Sequence, residues 1–141
     1  MATSSRVVLF AVLVGLAVGC AKESNRVPVY PAGGALLHNG KAAVGAIVIL
    51  HPADPAAAPV KPRGKVGPDG SYRLTTYDTG DGAPAGDYAV SIYWPKPPPP
   101  GEPNNDDGPD ILGGKYLRPE SPVARVSITP GENVLAPITL K

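Results

Sequence analysis

Between Gly64 and Trp94 the chain reads GKVGPDGSYRLTTYDTGDGAPAGDYAVSIYW, a turn followed by two stretches that alternate with a period of two. That period belongs to a β-strand and is incompatible with a helix face. Tyr72, Leu74 and Thr76 share one side, with Arg73 and Thr75 on the other. Tyr88, Val90, Ile92 and Trp94 repeat the pattern opposite Ala89, Ser91 and Tyr93. Alternation of this kind suits antiparallel strands with one buried face. Pro68-Asp69-Gly70 supplies the turn: proline presets the first φ, aspartate bonds its own backbone, and glycine takes the φ > 0 position. The stretch is framework and contains no evident catalytic group.

The remaining segments fit the same class. Gly33–His38 is a short strand closed by Asn39-Gly40, a dipeptide suited to a primed hairpin turn. Val44–His51 is apolar on both faces, as expected of a strand covered on both sides or under a loop. Ala53–Arg63 is a proline- and alanine-rich surface loop, and Asp78–Asp87 separates the two opening strands. Pro95–Lys115 is the longest stretch without a strand pattern, and its Pro97–Pro100 run should be polyproline II. In Val123–Thr129 the residues Ala124, Val126 and Ile128 face inward, and Pro130-Gly131-Glu132-Asn133 turns the chain. Val134, Ala136, Ile138 and Leu140 then alternate against Leu135, Pro137 and Thr139; Pro137 cannot donate to a ladder and marks an edge strand. With 17 glycines and 19 prolines, and no periodic run of helix formers, the chain predicts an all-β fold. Turn spacing gives about seven strands in an antiparallel β-sandwich. Its expected core is Ile47, Ile49, Tyr72, Leu74, Tyr88, Val90, Ile92, Val126, Ile138 and Leu140.

The amino terminus predicts location. Arg6 precedes an uncharged apolar run, Val7–Val18, too short to span a bilayer as a helix and of the length of a signal-peptide core. Leu16-Ala17-Val18-Gly19-Cys20 resembles a bacterial lipobox, although Ala17 stands where leucine is commonest. The resemblance implies cleavage before Cys20, with lipid on its sulfur and new amino terminus, and a membrane partner held through that lipid. Cys20 is the only cysteine, so no intrachain disulfide can form. The division that follows is a leader at 1–19, a lipidated tether at 20–31 and one domain at 32–141, with a Pro/Asp-rich insertion at 95–115. The expected place is extracytoplasmic and membrane-anchored, in the outer membrane or at the cell surface rather than the inner membrane. Setting Arg6 aside with the leader leaves 12 basic residues against 12 acidic ones. That balance argues against nucleic acid, which wants a basic surplus.

Several placed segments together carry a family resemblance. Asn39-Gly40-Lys41-Ala42-Ala43-Val44-Gly45-Ala46 follows the strand-turn-strand opening of carboxypeptidase regulatory-like, or transthyretin-like, domains. Gly64–Leu74 and Pro84-Ala85-Gly86-Asp87-Tyr88-Ala89-Val90 are similar to that family's two most recognisable elements. Thr75-Thr76-Tyr77, Gly80–Pro84 and Asp110–Tyr116 further resemble small lipoproteins of planctomycete-type bacteria. The resemblance implies a fold more than a task, since one fold hosts many functions. A purine-degradation hydrolase shares the architecture, but its terminal Tyr-Arg-Gly-Ser has no counterpart in Ile138-Thr139-Leu140-Lys141, and its activity is not carried over.

Candidate chemistry is sparse. His38 and His51 stand at strand ends before turn signals and read as surface residues. Ser71, Ser91, Ser121 and Ser127 have no His and Asp near them in sequence in a recognisable arrangement. Asp78, Asp81 and Asp87 share one loop, while Asn104, Asn105, Asp106, Asp107 and Asp110 share the insertion; hard oxygens at such spacing are calcium candidates. Turn chemistry explains the same residues more simply, and neither run matches an EF-hand. Tyr77, Tyr93, Trp94 and Tyr116 are candidates for stacking on a sugar, although alternation puts Trp94 on the face of Tyr88 and Ile92, where core packing is the plainer account. The expectation is a non-catalytic interaction or structural module with an envelope protein or glycan as partner and no cofactor. The alternative is a carbohydrate- or calcium-binding module at the envelope surface.

Overall fold

The computed structural model describes residues 25–141; Cys20 and the leader lie outside them. The described chain is all-β without a helix, so none is present that could cross a membrane. Eleven short strands form where about seven were expected: β1 (Val29–Tyr30), β2 (Ala32–His38), β3 (Lys41–Ala42), β4 (Ile47–Pro52), β5 (Arg63–Lys65), β6 (Ser71–Arg73), β7 (Ala83–Pro84), β8 (Gly86–Tyr93), β9 (Ala124–Ile128), β10 (Asn133–Val134) and β11 (Ile138–Leu140).

One layer runs β5-β4-β8-β9, antiparallel throughout. The other is centred on β2, flanked on one edge by β6 and β3 and on the other by β10 and β11. A single apolar cluster takes Leu36, Tyr72, Leu74, Ile138 and Leu140 from the second layer and Val48, Leu50, Tyr88, Val90 and Ile92 from the first. β1 and β7 form a separate two-stranded antiparallel pair, and the two larger sheets facing one core are consistent with a β-sandwich. Each fully buried aliphatic side chain there contributes roughly 1.5–3 kcal/mol.

Both turns read from sequence form as expected. Asn39 (φ 51°) and Gly40 (φ 78°) make the primed turn between β2 and β3. At Pro68-Asp69-Gly70, the Gly70 amide donates to Gly67 O, Asp69 Oδ1 accepts the Ser71 amide, and Gly70 has φ 84°. The strands on either side of this turn serve different layers, β5 pairing with β4 and β6 with β2, while Arg63 and Thr75 exchange two backbone hydrogen bonds that hold the pair together. The Pro-Asp-Gly turn therefore stitches the two layers together.

Four expectations need correction. Ile47 and Ile49 are only half-buried, whereas Val48 and Leu50 are the core residues of β4. The register decides this, because Val48 stands opposite Ile92 and Leu50 opposite Val90, on the inner side of β8. That strand also begins at Ile47 rather than Val44: Gly45 has φ 85° and the Ala46 amide donates to Ala43 O, so Ala43–Ala46 is a turn. Third, β10 and β11 run parallel to β2, so the sheet is mixed rather than antiparallel. Last, Val134 and Ala136 point outward and Leu135 is buried. Asn133 faces Ala32 while Ile138 faces Leu36, so five steps on one strand span four on the other. The extra residue is a bulge that reverses the alternation before Ile138 and Leu140, which are buried as expected. Pro137 sits in that break, on an edge, as its missing N–H requires.

Candidate functional site

The ends of β2 and β8 bring His38 and Trp94 together, ring centroids 5.6 Å apart and planes nearly perpendicular. The Trp94 indole N–H donates to Val44 O (3.0 Å), tying the tryptophan to the turn before β4. Trp94 is half-buried against the core and not enclosed by it. Its backbone is held by the next loop: its amide donates to Asp110 Oδ1 (2.9 Å), and its carbonyl accepts the Ile111 amide (2.9 Å). Asp110 Oδ2 accepts the Gly114 amide (2.7 Å). Both oxygens of this calcium candidate are thus occupied by backbone.

Tyr116 completes that end. Its carbonyl accepts the Ile92 amide, and its hydroxyl donates to Lys141 O (2.8 Å), which Lys115 Nζ also reaches. A hydrogen bond from Lys115, whose ammonium lies 5.0 Å over the ring, holds the phenol below its ordinary pKa. Around these rings the apolar surface is open. Val44 is 48 % exposed, Ile111 49 % and Leu117 38 %.

Tyr77 belongs to the opposite end. It follows Leu74, whose amide bonds Ala32 at the start of β2, six residues from His38. At about 3.3 Å per residue that is roughly 20 Å. The Arg26 guanidinium covers the Tyr77 ring at 4.9 Å and pairs with Asp78 (3.1 Å), while the Val27 amide donates to the Tyr77 hydroxyl. The structure therefore unites Trp94 and Tyr116 and separates Tyr77 from them.

The other acidic candidates are dispersed. Asp81 accepts the amides of Thr76, Tyr77 and Asp78. Burial raises its pKa, but these backbone bonds outweigh it and hold the carboxyl below its ordinary value. Asp87 accepts the Ser127 hydroxyl, Asp106 pairs with Lys65 (2.6 Å), and Asp107 accepts the Asn105 side-chain Nδ2–H. Among the described residues no three His, Cys, Asp or Glu side chains converge as a metal would require.

One pairing escaped the sequence. Ser91 Oγ lies 2.8 Å from His51 Nε2 on the outer side of the β4–β8 pair, linking residues forty apart. Their common face follows from the register, with Ser91 opposite Ile49 and His51 opposite Ala89. Burial lowers the imidazole pKa, helped by Lys61 and opposed by Glu120, so the ring is neutral near pH 7. Ser91 is only 1 % exposed, which keeps its hydroxyl from a substrate. The pair satisfies a buried hydroxyl and fastens two strands.

Compared with known proteins, the chain matches no family model, no curated protein and no solved structure.

Proposed function

We propose that this chain is a lipid-anchored protein of the bacterial envelope whose carboxypeptidase regulatory-like, transthyretin-like β-sandwich works as a non-catalytic interaction or structural module. Cys20, at the end of its lipobox-like segment, is the attachment point. The observation that carries the interaction reading is the open apolar surface around Trp94: Val44, Ile111 and Leu117 are three of the four large hydrophobic side chains exposed on the described chain. Grouped exposed apolar residues beside aromatic rings mark contact surfaces. Polar groups that could serve chemistry there, Asp110 above all, are spent on backbone amides.

The test has two parts. Cys20→Ser should release the protein from membranes; unchanged membrane association would end the anchoring claim. Val44→Asp with Ile111→Asp alters only exposed side chains, so the thermal midpoint should hold while a defined envelope protein, recovered from native membranes by the wild type, is lost. Equal recovery by the double variant would move the interface elsewhere. Trp94 and Tyr116 at one end also suit stacking on a sugar ring, and glycan-array binding abolished by Trp94→Ala would favour that second reading.

A further inference from the structure

The outer side of the β2 layer carries a groove of about 450 Å³, far from the apolar surface around Trp94. Gly33 and Ala35 form its floor. Register places Arg73 beside Gly33 on one rim and Val134 beside it on the other. Those rims lie about 10 Å apart, two strand spacings. Glu132, two residues before Val134, alternates onto the same side and lines the groove with it. Val134 is 88 % exposed, the most exposed large hydrophobic residue described. Arg73 and Glu132 are both exposed, and the ion pairs among the described residues, Arg26–Asp78 and Lys65–Asp106, include neither.

A small-residue floor between one cationic and one anionic rim is complementary to itself. Turn a second copy by half a revolution about an axis along β2, and its Glu132–Val134 rim faces the Arg73 rim of the first. Val134 of each copy then rests on the methylene stem of the other's Arg73, and the guanidinium reaches the other's Glu132. The two-fold makes every contact twice, as an isologous interface requires. We propose that this groove is a homodimer interface, with Arg73 and Glu132 exchanged between copies. A foreign acidic or basic segment would satisfy one rim and leave the other unpaired, whereas a second copy satisfies both.

Charge reversal tests the pairing in the intact protein. Two differently tagged copies of the full chain are co-expressed, extracted in excess detergent, and one tag is captured. Wild-type copies should be recovered together. Arg73→Glu in both copies, or Glu132→Arg in both, should lower co-recovery at least about fivefold. Arg73→Glu in one copy with Glu132→Arg in the other restores both ion pairs and should restore recovery. The proposal is overturned if wild-type copies do not associate, if either reversal leaves recovery unchanged, or if the mixed pair fails to recover while each variant melts as the wild type does. Recovery that survives every substitution equally would report shared micelles or another surface, and would equally overturn it.

Discussion

The turn from Thr75 to Gly82 and the excursion from Trp94 to Ile111 use the same device at different lengths. In each, one aspartate turns inward and gathers backbone amides. Asp81 collects three across a gap of a few residues. Asp110 collects two at the base of a loop whose far side is tied by the Lys65–Asp106 ion pair and the Tyr93 hydroxyl on Gly108 O. Each region has one enclosed glycine: a Cβ on Gly82 (φ 101°) would lie 1.8 Å from Tyr30 O, and one on Gly108 would lie 2.3 Å from Lys96 O. Each also has an open one: a Cβ on Gly80 (φ 72°) in the short turn, or on Gly101 (φ 94°) in the long loop, would meet nothing within 4 Å. Hydrogen-bond count separates the two regions, three amides against two, while steric enclosure separates positions within each.

Substitutions can break that contrast. The largest effect is expected from Gly82→Ala, which adds a backbone collision to left-handed strain and should cost 3 kcal/mol or more, roughly, or prevent folding. Gly101→Ala carries only the strain, about 1 kcal/mol; equal losses in denaturant titration would erase the distinction. Next comes Asp81→Ala, which orphans three amides and should cost about 2–3 kcal/mol, against about 1–2 for Asp110→Ala. An inverted order would make the long loop's base the more integral. Acid should sharpen the same point. Asp81 titrates lower folded than unfolded, so its stabilisation is complete above roughly pH 4 and fades as pH falls through the folded value. Thermal midpoints measured down to about pH 2 should therefore drop less in Asp81→Asn than in the wild type. Lys65→Ala is expected to do least, below about 1 kcal/mol, because the ion pair at the loop's tip is solvated.

Local signals carried the parts of the fold that are decided locally. Asn39-Gly40 and Pro68-Asp69-Gly70 specify their turns through φ alone, and the alternation of Tyr88, Val90 and Ile92 specifies the inner side of β8. β4 was opaque because Ile47–Leu50 is apolar on both sides, so only its partner's register could choose between them. Parallel pairing of the terminal strands left no local mark. Nor did the bulge that set Leu135 inward and Val134 outward. The candidate site divides the same way. Trp94 and Tyr116 were visible as aromatics near strand ends, but their union, and the exclusion of Tyr77, depends on which strand ends share a side of the molecule. Asp81 and Asp110 looked like ligand donors because a carboxylate that binds backbone and one that binds calcium are the same letter.

The central strand β2 is made near the beginning of the domain, and one of its edges is supplied by the last residues described. Leu36 finds Ile138 only after roughly a hundred residues have been added, so the layer cannot close until those residues are made. Long-range closure of this kind slows folding.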